Sequence, residues 1–246
     1  MWSMRLVERE GVRSTPIYVT EETREDFTVF EQTSKNQFRF VLPGSPLAER
    51  EWRACLSILE TIEEMPPYLV CSGSLPPEVP DDFYGCAARI AKARGSKCIL
   101  DTSGAPLAAA LKEGVFLVKP NLRELQELTQ VPLANRNEQI RATRGLIEVG
   151  ATEHVALTLG DKGAVLVSRD AAYFAQAPGI KPVSAVGAGD SFLGGMAWSL
   201  AAGHSIIEAF RWGVAAGSAA VLNPGTELCH VRDVIRLHEQ IKLDSA

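Results

Sequence analysis

The middle of the chain alternates short apolar runs with longer segments whose apolar residues recur at helical spacing. Four runs rich in β-branched or aromatic residues are bounded by turn-forming residues, which is typical of buried strands. These runs are residues 68–72, 98–101, 115–118 and 155–158. The helical patterns lie at about residues 82–94, 106–112 and 137–149, with a further helix after Asn121. Strands that alternate with helices predict βαβ crossovers and a mainly parallel sheet with helices on both faces.

The flanking patterns complete the predicted architecture. Residues 163–168 and 172–175 follow each other without a helix, so they predict an antiparallel extension of the sheet. The end of the chain is helical, over residues 190–201, 206–222 and 231–241. Ser205 and Glu208 have the spacing of a capping box, in which each side chain satisfies an amide of the other residue. No repeat and no long linker interrupts these patterns, so the sequence predicts one α/β domain over residues 1–246.

A separate hairpin is predicted before the first of these strands. Residues 26–31 and 37–42 alternate apolar and polar positions, and the turn-rich residues 33–36 join them. A half-polar hairpin outside the βαβ series indicates a small flap, or lid, over about residues 15–44.

Composition and charge narrow the class of protein. The 246 residues are 46% hydrophobic and 22% charged, with a formal net charge of −5, which argues against a protein devoted to nucleic acid. The five cysteines are odd in number and lack the spacing of a zinc site or a disulfide framework, as expected in a reducing cytoplasm. No uninterrupted apolar span is long enough for a membrane helix, so we expect a soluble protein with no membrane partner.

The most informative motif is Val186-Gly-Ala-Gly-Asp-Ser191, which opens a long apolar helix. Gly187 and Gly189 allow close approach of a ligand, and the helix N-terminus provides amides and a positive dipole end for an anion. Asp190 adds a carboxylate that can accept an alcohol proton, a combination that suits phosphoryl transfer. The alternative is a glycine-rich turn with Asp190 as an N-cap. The P-loop pattern is absent, and the dinucleotide fingerprint fails because its third glycine position is Phe192.

Two weaker motifs follow predicted strands, where ligands of open α/β sheets bind. Lys119 offers a cation to a phosphate, Asn121 can cap the next helix, and Glu124 can hold magnesium through water. The alternative for Asn121 and Glu124 is a simple capping box. The second motif, Thr158-Leu-Gly-Asp-Lys-Gly163, places a glycine turn at a strand end, and its alternative is an ordinary tight turn.

Taken in order, these motifs resemble those of the ribokinase-like sugar kinases, and within them the phosphofructokinase-B branch. The matching segments are Ser72-Gly-Ser-Leu-Pro-Pro77, Lys119-Pro-Asn121, Thr158-Leu-Gly160 and Gly187-Ala-Gly-Asp190. Arg39-Phe-Val-Leu-Pro-Gly44 and Gly213-Val-Ala-Ala-Gly-Ser-Ala-Ala220 strengthen the match to that branch. The resemblance covers nearly the whole chain and implies a three-layer αβα ribokinase-like fold with a small β lid.

The resemblance also implies roles for individual residues. Asp190 is expected to be the general base, and the anion hole is formed by Gly187, Ala188 and Gly189. The positions that match nucleotide contacts are Lys119, Asn121, Thr158 and Gly160, with Lys162 and Gly163 in the same turn. Arg24 matches a residue that binds the sugar phosphate, and Ser74 matches a serine that contacts the sugar. Glu124 matches the glutamate that organises Mg²⁺. A monovalent cation, K⁺, is expected at Ser184, Val186, Ala220, Asn223 and Gly225.

The function implied is transfer of a phosphoryl group from ATP to a phosphorylated ketohexose, in the first place fructose 6-phosphate, in glycolysis. Fructose 1-phosphate and tagatose 6-phosphate are alternative substrates, and a homodimer formed through the lid is expected. Members of the family begin with a strand and a glycine-rich segment that grip the sugar, and this sequence has no match to either. A nucleotide-binding remnant that cannot hold sugar is therefore the second hypothesis. A dinucleotide-dependent oxidoreductase is the third.

Overall fold

A seven-stranded sheet forms the centre of the protein. The structure, a computed structural model, describes residues 7–31, 33 and 37–246. The strands of the central sheet are β3 Tyr68–Ser72, β4 Lys97–Asp101, β5 Val115–Val118, β6 Thr152–Thr158, β7 Ala164–Val167, β8 Ala172–Ala175 and β9 Leu243–Ser245. They lie side by side in sequence order. Neighbours from β3 to β6 pair in parallel, and those from β6 to β9 pair antiparallel. The predicted series of parallel strands with an antiparallel extension is confirmed, and with three parallel and three antiparallel pairings the described sheet is mixed.

Helices cover both faces of this sheet. They are α1 Glu49–Thr61, α2 Phe83–Ala93, α3 Gly104–Leu111, α4 Leu122–Thr129, α5 Arg136–Glu148, α6 Ala188–Ala201, α7 Ile206–Ala220 and α8 Val231–His238. Successive side chains of a strand point to opposite faces. In β4, accordingly, Cys98 and Leu100 pack with helices α1–α5, whereas Ile99 packs with α6–α8. The predicted three-layer αβα fold is confirmed. Within the described residues, no helix has the length and apolar character needed to cross a membrane.

Two elements were not predicted from the sequence. Helix α1 carries Trp52, Cys55, Leu56 and Leu59 at helical spacing, a signal that the polar residues between them obscure. Strand β9 is only three residues long and pairs with the outer edge of β8. So short an edge strand has too few residues for an alternating pattern, and only its tertiary partner makes it a strand.

The predicted hairpin is present as a separate two-stranded sheet. Strands β1 Phe27–Phe30 and β2 Gln37–Phe40 pair antiparallel, with Phe27 opposite Phe40 and Val29 opposite Phe38. The rings of Phe27 and Phe40 stack with centroids 4.8 Å apart. Of the predicted turn, residues 34–36 lie outside the described residues. These four apolar side chains share one face of the hairpin, because residues two apart in a strand point the same way.

The layer that carries the glycine-rich motif is tightly packed. Helix α6 lies against α7 so closely that a methyl group at Gly195 would be 2.8 Å from the Trp212 carbonyl oxygen. The predicted capping box at the start of α7 is only half right. The Ser205 hydroxyl accepts the Glu208 N–H at 3.2 Å, but the Glu208 carboxylate is bonded to Arg211 and His238 instead.

Candidate functional site

The carboxyl ends of the parallel strands bring the predicted nucleotide-contacting residues together. Asn121 and Thr158 form a parallel bridge that extends the pairing of β5 and β6. The Thr158 N–H donates to the Pro120 carbonyl at 3.0 Å. The two motifs that follow β5 and β6 therefore lie side by side at one edge of the sheet, as the strand-end argument predicts.

Lys119 is held by a residue that sequence reasoning missed. Its side chain is buried, and its Nζ lies 3.1 Å from Oδ1 of Asp101, the last residue of β4. Burial raises the pKa of Asp101, as do the charges of Glu124 and Asp190, whereas the ammonium of Lys119 lowers it. The signal for Asp101 was present in the sequence, because it is the carboxylate that ends a buried strand at the ligand-binding edge.

The glycine-rich motif forms the N-terminus of α6. Gly187 is the N-cap and has a φ of +76°, a conformation that favours glycine, and Asp190 lies in the first turn. The alternative interpretation of Asp190 as the N-cap is therefore wrong. Amides in the first turn of a helix lack partners within the helix. The Gly189 N–H has no hydrogen-bond partner among the described residues, whereas the Ala188 N–H makes a long contact, 3.4 Å, to the Ala185 carbonyl. Both amides lie at the positive end of the helix, where an anion is favoured.

Lys119 and Asp190 flank this helix end. A β-carbon at Gly189 would lie only 3.4 Å from Lys119 Nζ, so the ammonium reaches the glycine-rich turn. Asp190 is exposed, and its charge acts on the pKa of Asp101. One carboxylate, one buried ammonium and a helix N-terminus thus converge. Together they can accept a proton and stabilise a phosphoryl group.

Asn121 and Glu124 form a reciprocal capping box at the start of α4. The Glu124 N–H donates to Asn121 Oδ1, and the Asn121 N–H donates to Glu124 Oε2, both at 2.9 Å. The other oxygen of Glu124 has no hydrogen-bond partner among the described residues, so it can still face a hydrated cation. The described residues contain no group of three His, Cys, Asp or Glu that could hold a metal ion directly. A magnesium site here would depend on this one carboxylate and on water and phosphate ligands.

The turn after β6 is fixed by its glycines. Residues Gly160–Lys162 form a single 3₁₀ turn, and the Leu159 N–H donates to the Gly163 carbonyl at 2.9 Å. Gly163 has a φ of +104°, and a β-carbon there would overlap the Ala175 carbonyl and lie 2.8 Å from Ala177 N. The tight-turn interpretation therefore holds for Gly163, whatever role this exposed turn also has toward a nucleotide.

The two predicted sugar-binding residues are in direct contact. Arg24 Nη1 donates to Ser74 Oγ at 2.7 Å, although 50 residues separate them. Both line a cavity of about 650 Å³ that also includes Thr102, the residue after Asp101. Asp190 is not among the residues that line this cavity. Arg24 thus lies beside, and not in one enclosed pocket with, the group formed by Lys119, Asp190 and the N-terminus of α6. Both lie at the carboxyl edge of the sheet.

The predicted positions for a monovalent cation lie in two adjoining segments. The Val183 N–H donates to the Val221 carbonyl at 2.7 Å, and Ser184 Oγ donates to the Gly225 carbonyl at 2.8 Å. Hydroxyl and carbonyl oxygens are the hard ligands that such a cation takes. The donor set of Ser184, Val186, Ala220, Asn223 and Gly225 is therefore chemically suited to K⁺, and its role stays a prediction.

The fold, together with the residues at the carboxyl ends of the parallel strands, places the protein among the sugar kinases. Residues 3–232 match the model of the pfkB family carbohydrate kinases, and the chain belongs to that family. It is a kinase of phosphofructokinase type. The predicted ribokinase-like family is thereby confirmed, and the oxidoreductase hypothesis is set aside.

Individual relatives place the chain more closely. The ATP-dependent 6-phosphofructokinase isozyme 2 of Mycobacterium tuberculosis is 40% identical over 236 residues, covering 96% of this chain and 69% of the relative. The crystal structure of phosphofructokinase-2 from Escherichia coli in complex with potassium superposes with a TM-score of 0.91. It is 37% identical, covering 96% of this chain and 77% of that one. The 1-phosphofructokinase of Bacillus subtilis is 34% identical over 152 residues, 62% of this chain and 50% of that protein.

Proposed function

We propose that the protein transfers the γ-phosphoryl group of ATP to fructose 6-phosphate. The observation that carries this proposal is the convergence of Asp190, Lys119 and the glycine-rich N-terminus of α6 at the edge where Arg24 contacts Ser74. The first group suits phosphoryl transfer, and the guanidinium of Arg24 suits a phosphate already present on the sugar. The E. coli relative has also been crystallised with fructose 6-phosphate, which supports this choice of substrate.

The proposed reaction is a single in-line displacement. Asp190 accepts the proton of the sugar hydroxyl, and the hydroxyl oxygen attacks the γ-phosphorus. The bond from that phosphorus to the bridging oxygen breaks, and ADP leaves with the electron pair. Lys119 and the amides of Gly187, Ala188 and Gly189 face the charge of the transferred group, where fixed donors are most effective.

The proposed nucleotide and metal contacts follow the same edge. The strand-end positions for ATP are Lys119, Asn121, Thr158, Gly160, Lys162 and Gly163. Mg²⁺, held through water by Glu124, would neutralise charge on the phosphates. K⁺ would lie between the segments of Ser184 and Gly225, and the potassium complex of the E. coli relative supports this assignment.

Replacing the proposed base tests the mechanism. Asp190→Ala should lower kcat about 10²- to 10⁴-fold, because among the described residues no other carboxylate lies in the first turn of α6. The measurement is ADP release in a coupled assay with fructose 6-phosphate. Asp244→Asn, which changes an exposed carboxylate in β9, is the control and should keep full activity. Turnover that is indifferent to Asp190→Ala would contradict the mechanism.

The same assay separates the alternative functions. Relatives named 1-phosphofructokinase make fructose 1-phosphate a second candidate substrate. Fructose 6-phosphate should give a kcat/KM at least about tenfold above those of fructose 1-phosphate and tagatose 6-phosphate. Binding of ATP without turnover of any sugar phosphate would instead favour the nucleotide-binding remnant.

We further propose that the lid mediates a homodimer. The shared face of β1 and β2 exposes Phe27, Val29, Phe38 and Phe40, each by about half of its surface. A contiguous apolar face of this kind marks a protein–protein interface. The E. coli relative has been crystallised in a tetrameric inhibited form, which supports association between copies.

Sedimentation equilibrium tests the lid dimer. Phe40→Glu places a charge in the proposed interface and should shift the protein to monomers. Val149→Glu makes the same kind of change at an exposed apolar residue after α5 and should leave the dimer intact. A dimer that survives Phe40→Glu would contradict the proposed interface.

A further inference from the structure

A second cavity lies at the opposite edge of the central sheet. It measures about 620 Å³, within the range of small-molecule sites, and the residues at the amino ends of β4, β5 and β6 line it. The strands between the two edges have five, four and seven residues. At 3.3 Å per residue, these strands span about 13–23 Å between the two edges. It is therefore separate from the proposed active site.

Three cations surround this cavity. They are Lys92 at the end of α2, Lys97 at the start of β4, and Arg169 in the β7–β8 turn. Lys97 Nζ lies 4.5 Å above the ring of Phe116, which places the ammonium over the cavity wall. Lys92 makes one long contact, 3.4 Å, to the Glu113 carbonyl. Among the described residues, none of the three cations forms an ion pair.

The wall between these cations carries polar groups. Ser96 is only 5% exposed, and its hydroxyl has no hydrogen-bond partner among the described residues. A buried hydroxyl is normally bonded, so a rotation of this side chain toward the cavity would give it a partner in a ligand oxygen. His154 lies nearby, bonded through Nδ1 to Ser168 Oγ at 2.8 Å and packed edge-on against Phe116.

The acidic groups at the rim limit the charge of a ligand. Glu153 and Asp170 also line the cavity, so its residues carry one positive charge in excess when His154 is neutral. Burial lowers the pKa of His154, Lys97 lowers it further, and Glu153 opposes them, so the imidazole is neutral near pH 7. A dianion suits this balance, whereas a polyanion such as nucleic acid would be repelled by the two carboxylates.

We propose that this cavity is a second ligand site that binds the dianionic phosphate of a small phosphate ester. Lys97, Lys92 and Arg169 supply the positive charge, and the Ser96 hydroxyl, turned toward the cavity, donates to a phosphate oxygen. Tricarboxylates are disfavoured, because a third negative charge would face Glu153 and Asp170. The assignment uses residues outside the proposed catalytic machinery, so it stands or falls independently of the proposed function.

An NMR titration of the full chain tests this site. The probe is inorganic phosphate, added at constant ionic strength set with sodium chloride, and the reporter is the ¹³Cε1 resonance of His154. Phosphate bound at the active site would not move this reporter, because His154 lies at the opposite edge. The resonance, assigned by its loss in His154→Gln, should shift saturably with phosphate. Citrate should bind more weakly.

Charge variants of exposed residues give opposite expected effects. The double variant Lys97→Gln/Arg169→Gln should raise the Kd for phosphate at least about tenfold, and Glu153→Gln/Asp170→Asn should lower it. Arg141→Gln removes an exposed cation from the middle of α5 and should leave the Kd unchanged. Kinase activity should be unaffected in the lysine and arginine variants.

Three results would overturn the proposal. One is a shift that grows linearly with phosphate and is reproduced by chloride. Another is an unchanged Kd in the Lys97→Gln/Arg169→Gln variant. The third is tighter binding of citrate, which would contradict the phosphate class.

Discussion

The two parts of the candidate site are built in different ways. The nucleotide part stands on the ends of buried strands, where Lys119 is almost fully buried and paired with Asp101. The sugar part depends on Arg24, which precedes strand β1 of the lid, is partly exposed, and reaches Ser74 through one hydrogen bond. In the first part the core of the protein fixes the geometry, and in the second a few local contacts do so. Substitutions should therefore affect stability in the first part and substrate affinity in the second.

The largest stability effect is expected at Gly163, in the nucleotide part. Gly163→Ala would force a β-carbon against the Ala175 carbonyl at a φ of +104°. We expect a loss of about 4 kcal/mol in the free energy of unfolding, since both a clash and backbone strain are introduced. Urea denaturation followed by circular dichroism measures this loss.

A matched glycine supplies the control. Gly145 lies within the helix α5, and a β-carbon added there would meet no atom within 4 Å. Gly145→Ala should therefore stabilise the protein, by about 0.5–1 kcal/mol. If Gly163→Ala were as stable as the parent, the turn that contains Gly163 and the end of β8 at Ala175 would be able to move apart at little cost in free energy. That outcome would contradict the prediction.

Local contacts were predictable from the sequence, and long-range ones were not. The Asn121–Glu124 box was anticipated, because both partners lie within one helical turn. At Ser205 the same reasoning half failed, because His238, 30 residues away, takes the Glu208 carboxylate. The contact of Arg24 with Ser74 crosses 50 residues, and only the family resemblance pointed to both of them.

The same distinction between local and long-range contacts explains which strands could be predicted from the sequence. Strands β3 to β6 were predicted because parallel strands that are buried on both faces have nearly continuous apolar sequences. Strand β9 depends on hydrogen bonds to β8, which the three residues Leu243–Ser245 do not encode by themselves. Asp101 lay within a predicted strand, yet its pairing with Lys119 depends on the sheet order that places β4 beside β5.

An intermediate effect is expected at Arg24, in the sugar part. Arg24→Gln removes the cation proposed for the sugar phosphate, so KM for fructose 6-phosphate should rise about 10- to 30-fold. KM for ATP and the melting temperature should stay close to those of the parent. Steady-state kinetics with each substrate varied in turn measures the split.

The control for Arg24 is a second exposed arginine. Arg53 pairs with Glu49 on the surface of α1, and Arg53→Gln should change neither KM value. Equal increases in both KM values for Arg24→Gln would show that the two parts of the site are not separable, and would break the comparison.

The smallest effect is expected at Glu51, which ties the segment before strand β1 of the lid to α1. Its carboxylate accepts the Ala48 N–H at 2.9 Å and the N–H and hydroxyl of Thr20 at 2.8 Å each. These hydrogen bonds hold the pKa of Glu51 below its ordinary value, and the one from the Ala48 N–H has the largest effect. A carboxylate with a lowered pKa in the folded state contributes stability at neutral pH, and that contribution disappears as the pH falls through the folded pKa.

Glu51→Gln should therefore lower the melting temperature by a few degrees at pH 7. The difference from the parent should shrink toward acid pH, because the parent carboxylate is then protonated. Glu49→Gln, on the same helix but with an exposed side chain, should leave the melting temperature nearly unchanged at both pH values. A deficit in Glu51→Gln that does not shrink with acid would mean that shape rather than charge holds Thr20. The sugar part would then resemble the nucleotide part in being fixed by packing.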